Sequence, residues 1–139
     1  MAEQNLRQLL RGLSPGISEG KFWVGTFPES QMMGLAGYLQ YITCIYREKE
    51  GLTAVFQEEA KEELERYTEK KVEGPFALIT LQVDSSLMAV GLLAKVTEAL
   101  AREKIPVNAF SAYFHDHLLV PFEKKDEALA ALKKLQKSA

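Results

Sequence analysis

The order of the predicted elements repeats along the chain. From residue 21 the sequence reads strand, short helix, strand, strand, helix. From residue 76 it reads strand, helix, strand, strand, helix. A repeat of this kind sets the architecture, because each copy must bury its own apolar face or share it with the other copy. A trace of the repeat survives in the residues. LTAVFQEE (52–59) aligns without a gap on LLVPFEKK (118–125), which matches Leu52 to Leu118 and Phe56 to Phe122. Each half is one strand short of the βαββαβ ferredoxin-like unit. That strand is either absent or supplied by the other half. The expectation is an α+β fold of two tandem ferredoxin-like βαββα(β) lobes with antiparallel sheets, divided as residues 1–72 and 73–139.

Spacing and turn residues place the elements. Leu6, Leu9, Leu10 and Leu13 give residues 4–13 a helical stripe, and Ser14-Pro15-Gly16 stops it. KFWVGTF (21–27), YITCIY (41–46), LTAVF (52–56) and FALITLQV (76–83) are rich in β-branched and aromatic residues and predict strands. Met33, Leu35 and Leu39 predict a short helix within 29–40, weakened by Gly34 and Gly37. EEAKEELERY (58–67) predicts a helix with a solvated face, and 68–75 a polar connection. Ala89, Leu93, Val96 and Leu100 predict a helix from about Met88 to Lys104, which Ile105-Pro106 ends. VNAFSAYF (107–114) and HLLVP (117–121) predict a hairpin turning at His115-Asp116, and 124–136 a final helix.

Composition excludes several function classes. The 139 residues carry 17 Lys+Arg against 19 Asp+Glu, so no basic excess exists to neutralise nucleic-acid phosphates. Hydrophobic residues at 47% leave enough to build a core, which argues against disorder. No apolar run approaches the ~18 residues of a membrane span. The N-terminal residues lack the apolar stretch and cleavage site of a secretory signal, so the expected location is cytoplasmic. A single cysteine, Cys44, excludes an intrachain disulfide and a Cys-based zinc site. The phosphate loop, the dinucleotide fingerprint and the serine-hydrolase elbow are all missing.

The junction from Phe76 to Gly91 carries the most chemistry. Asp84-Ser85-Ser86 follows a strand and precedes a helix, and a helix start presents unpaired N–H groups with a partial positive charge. Gly91 allows a ligand or another backbone to come close. N–H groups around 86–89 suit a carboxylate. Asp84, or the carbonyls of 107–109, suits an ammonium group, so the junction matches a zwitterionic amino acid. The plainer alternative is that Ser85 or Ser86 only caps the helix and Gly91 only packs.

Other candidates are thinner. His115 and His117 would share a strand face and could hold one ion, yet no third ligand is local, and the same residues suit a hairpin turn. Cys44 reads as a small buried hydrophobe without a paired base. Trp23, Met32 and Met33 read as core or interface packing.

The stretch DSSLMAVGLLAKVTEALAREKIPVNAFSAYFHDHLLVP (84–121) resembles an ACT domain, the small-molecule-sensing module of amino-acid metabolism. SPGISEGKFWV, REKEGLTAV, DSSLMAVGL and YFHDHLLVP, taken together, resemble a bacterial family of proteins with two ACT-like lobes. The resemblance spans about residues 6–135. The family is similar to the ACT pairs of aspartate kinases and to those of an arginine sensor. It implies a regulatory protein that binds an amino acid, without catalytic activity or a cofactor, and that forms a homodimer. It places the effector against Asp84, Ser85, Ser86, Leu87, Val90 and Gly91, facing Val107, Asn108 and Ala109 of a neighbouring unit. Asp84 stands where relatives often carry His. Two other readings stay open: a structural dimerisation module with a vestigial pocket, and a small enzyme using His115 and His117.

Overall fold

The computed structural model describes residues 5–139. In chain order the regular elements are α1 (Leu6–Arg11), β1 (Pro15–Ile17), β2 (Phe22–Phe27), α2 (Met32–Ala36), β3 (Ile42–Glu48) and β4 (Gly51–Gln57). There follow α3 (Lys61–Leu64), β5 (Glu73–Leu81), α4 (Leu92–Arg102), β6 (Asn108–Ser111), β7 (Asp116–Pro121) and α5 (Lys125–Lys137). The chain forms two compact units, one of residues 5–19 with Ala77–Ala139 and one of Gly20–Phe76.

In the first of these units the missing strand comes from upstream of the repeat. Pro15–Ile17, which the sequence marks only as a helix stop, is β1. It pairs antiparallel with the second half of β5, with Pro15 opposite Leu81 and Ile17 opposite Ile79. On its other side β5 neighbours β7, and β7 pairs antiparallel with the edge strand β6. Gln136 of α5 holds the turn that makes β1 possible. Its Oε1 accepts from the Ser14 N–H at 3.1 Å, and its Nε2 donates to the Arg11 carbonyl at 2.8 Å. The strands alternate as a half-buried sheet must. Ala77, Ile79 and Leu81 face one core with Leu118 and Val120, and against them lie Leu92, Val96 and Leu100 of α4. Leu9, Leu10 and Leu13 with Ala128 and Leu132 complete it.

In the Gly20–Phe76 unit the sheet order is β3, β4, β2 and the first residues of β5. β2 and β4 pair from Phe22 opposite Gln57 to Phe27 opposite Leu52. Phe76 lies opposite Phe22 and Glu73 opposite Val24, so the strand lacking from the first half is supplied by the start of the strand expected from Phe76, extended back to Glu73 through residues read as a connection. The core is Phe27, Leu35, Leu52, Ala54, Phe56, Ala60, Leu64 and Val72. The helix expected within 29–40 is only the five residues of α2. It is flanked by 3-10 turns at Glu29–Gln31 and Leu39–Tyr41, and Gly34 within it lets the Tyr67 ring pack close, since a Cβ there would meet the ring at 2.8 Å. Residues 58–67 form one turn of α-helix between two 3-10 turns, burying Ala60 and Leu64.

Both units are thus ferredoxin-like with antiparallel pairing, as the repeat predicts. The start of α4 differs from the expected Met88. Met88 N–H donates to Ser86 Oγ and Ala89 N–H to the Ser86 carbonyl, both at 3.0 Å, which closes a turn rather than a helix. Gly91 then adopts φ 96°, a left-handed conformation that favours glycine, and the helix begins at Leu92.

Candidate functional site

The loop from β5 to α4 and the hairpin of β6 and β7 enclose a cavity of about 220 Å³. Ser85, Ser86, Leu87 and Gly91 line it from the loop, Leu92 to Ala94 from the first turn of α4, and Ser111 and Asp116 from the hairpin.

Two features give this cavity its chemistry. One is the uncapped start of α4. Gly91 brings no side chain to accept from the first-turn N–H groups, so those of Leu92, Leu93 and Ala94 form the positive end of an eleven-residue helix. The other is Asp116, 8% exposed. Its Oδ1 accepts from Ser111 Oγ at 2.6 Å, and its Oδ2 accepts from Ser85 Oγ at 3.4 Å. A carboxylate has about four acceptor positions, and two hydroxyls leave room for a further donor.

Sequence reasoning placed Asp116 at the tip of a turn. The tip instead spans Ala112 to His115, closed by the Ala112 N–H donating to the His115 carbonyl at 2.9 Å. Asp116 is the first residue of β7. The strand period carries the signal for the observed position: 116, 118 and 120 share one face, and Leu118 and Val120 are core residues. An Asp in phase with them had to be inward. Ser111 was legible only through its pairing with Asp116.

Of the residues singled out in the sequence, the structure brings Ser85, Ser86, Leu87 and Gly91 to this cavity. Asp84 is exposed and Val90 is 82% exposed, both outside the lining. Val107 packs partly buried against the core, while Asn108 and Ala109 lie exposed on edge strand β6. The Met88 and Ala89 N–H groups, expected to meet a carboxylate, are taken up by Ser86. The free donors of the site therefore sit at the true helix start.

The two histidines have separate roles. His115 Nδ1 lies 3.2 Å from the Val83 carbonyl, which can only accept, so the ring donates and ties the hairpin to the end of β5. His117 Nδ1 lies 3.0 Å from Thr80 Oγ1, and the ring stacks on Phe110 at 5.2 Å. Burial lowers the His117 pKa, the His115 charge lowers it further, and Asp116 partly offsets this. Among the described residues no three His, Cys, Asp or Glu converge to hold a metal ion. Cys44 is half-buried on edge strand β3, and burial raises its thiol pKa. Among the described residues no helix is long and apolar enough to cross a membrane.

The ACT domain family matches the chain twice, over residues 1–70 and 73–134. A Vibrio cholerae protein of unknown function, described as a possible transport protein, is 34% identical. The match covers 94% of this chain and 95% of that one, with a TM-score of 0.77. The ligand-free regulatory subunit of aspartate kinase from Thermus thermophilus is 11% identical, with a TM-score of 0.70 over 89% of this chain and 97% of that one. An Agrobacterium tumefaciens protein is 18% identical, with a TM-score of 0.67 over 88% and 87%. No curated protein matches. On two family matches in tandem, and a relative alike over nearly its whole length, the chain belongs to the ACT domain family.

Proposed function

We propose that the chain is a regulatory module without catalytic activity, and that it binds a small amino acid in the cavity at the start of α4. The observation that carries this reading is a buried carboxylate, Asp116, sharing one small cavity with an uncapped helix start. A zwitterion complements both. Its carboxylate meets the N–H groups of Leu92 to Ala94, and its ammonium group meets Asp116 beside Ser85 and Ser111. Charge-assisted hydrogen bonds of this kind are roughly twice as strong as neutral ones. Family membership and the likeness to a regulatory subunit support a sensing role over a chemical one.

The reading includes a homodimer in the cytoplasm. Asp84 and Val90 form the outer rim, and Val107, Asn108 and Ala109 of a second copy face it. The same loop that lines the cavity exposes Leu87, Met88 and Val90, and the hairpin exposes Tyr113 and Phe114. A ligand that favours one arrangement of this loop changes the surface a partner meets, by differential affinity for the two arrangements. These exposed apolar groups also favour the second reading, a dimerisation module whose pocket is vestigial.

Thermal unfolding with each of the twenty amino acids at millimolar concentration tests the proposal. A ligand at ~100 times its dissociation constant stabilises by about 2.7 kcal/mol, a shift of several degrees. Asp116→Asn should remove the shift. If no amino acid moves the midpoint, the dimerisation module stands instead.

A further inference from the structure

We propose that the Gly20–Phe76 unit carries a second ligand site of different chemistry, a groove for a small aliphatic carboxylate. The proposal stands apart from amino-acid binding at α4. It begins with the short helix α2. Five helical residues span about 7.5 Å, whereas the seven residues of the neighbouring strand β3 run about 23 Å. Between α2, the 3-10 turn that begins at Leu39, and the face of β3 and β4, a groove of about 340 Å³ opens.

The groove has a buried floor and an apolar rim. Leu35 and Leu52 are 1% and 3% exposed, while Met32, Leu39 and Ile45 stand at its edge 45%, 56% and 40% exposed. Three large apolar side chains exposed around one concavity mark a binding surface rather than scattered residues. Arg47, one pleat along β3 from Ile45, is the one charged residue in the lining. A mostly apolar pocket with a single well-placed polar group is the usual build of a small-molecule site. The chemistry it selects is a hydrocarbon chain ending in an anion.

Arg47 is paired with Glu29, and both are exposed. A solvent-exposed pair of this kind contributes little. A ligand carboxylate can take the place of Glu29 on the guanidinium without stranding either charge. At roughly 30 Å³ per water-sized group the groove holds about ten heavy atoms, the size of octanoate. A second copy of the chain fits less well. Arg47 and Glu48 at the end of β3, with Lys49 and Glu50 in the turn that follows, put charges on that edge of the sheet, which discourages strand pairing.

The test is a titration of the full chain, labelled with ¹³C at its methionine methyls, with octanoate below its micelle concentration. Met32 reports the groove and Met88, in the other unit, is the control. Octanoate should shift Met32 saturably and leave Met88 in place. Each methylene removed should weaken binding about fourfold. Arg47→Gln should weaken octanoate about two- to fivefold and leave octanol unchanged. Leu39→Glu, at an exposed position, should abolish binding of both without unfolding the chain. The proposal is overturned if Met32 does not move, or if it moves together with Met88 without saturating. It is equally overturned if Arg47→Gln leaves octanoate affinity intact. Dilution alone shifting Met32 would also overturn it, since a second copy would then fill the groove.

Discussion

Ser111 and Asp116 face each other as register partners across the β6–β7 hairpin, and the Ser111 hydroxyl donates to the Asp116 carboxylate at 2.6 Å. With the Ser85 hydroxyl on the other oxygen, this fixes a buried carboxylate toward the start of α4. Asp116→Ala removes the acceptor of both hydroxyls, and Ser85 is itself buried. The expected loss is about 1–3 kcal/mol in urea unfolding. Asp116→Asn keeps the shape and an acceptor, so it should cost less. The reverse order would mean that the carboxylate is not satisfied by these serines.

Gly91→Ala should destabilise the chain. The residue sits at φ 96°, and an added Cβ would lie 3.2 Å from Leu6 Cδ2. Strain in that region costs on the order of 1–3 kcal/mol. A chemical-denaturation midpoint equal to that of the parent chain would show that the loop relaxes freely.

Gln136→Ala should remove the two hydrogen bonds that hold Ser14 and Arg11. At about 0.5–1.5 kcal/mol each, the expected loss is roughly 1–3 kcal/mol. Hydrogen exchange gives a sharper test. The amides of Gly16 in β1 and of Ser18 just after it, which face β5, should lose protection before those of Val96 and Leu100 in α4.

His117 sets a pH dependence. Its pKa in the folded chain lies below the ordinary 6.5, mainly because burial disfavours the charged ring. The unfolded chain therefore binds more protons between that lowered value and 6.5. Stability is fully present above about pH 6.5 and falls as pH drops through the lowered value. His117→Gln should flatten the stability profile in this window. An NMR titration should find the His117 midpoint below 6.5, and a midpoint above it would contradict the desolvated ring.

The sequence made the repeat and most of the core legible, and it obscured what depends on long-range pairing. Leu52 and Leu118, matched by alignment alone, both occupy buried positions on equivalent strands. Pro15–Ile17 carries no strand signal of its own, since proline and glycine read locally as a break. It is a strand because β5 offers it a free edge and Gln136 holds the turn before it. At the site, the Asp-Ser-Ser motif marked the loop that lines the cavity, but the helix starts later than the motif suggests. Ser86 spends its hydroxyl and carbonyl on a local turn, and Gly91 delays the helix. Asp116 was hidden because hairpin-tip residues and inward strand residues differ by a single position in register.

The most direct measurement of amino-acid binding is an amide NMR titration of the full chain with each of the twenty amino acids. At least one should produce saturable shifts at Leu92, Leu93 and Ala94 together with Ser85 and Asp116. Those shifts should be absent in Asp116→Asn. Saturable binding that leaves these five amides unmoved, or that survives intact in Asp116→Asn, would contradict binding in this cavity.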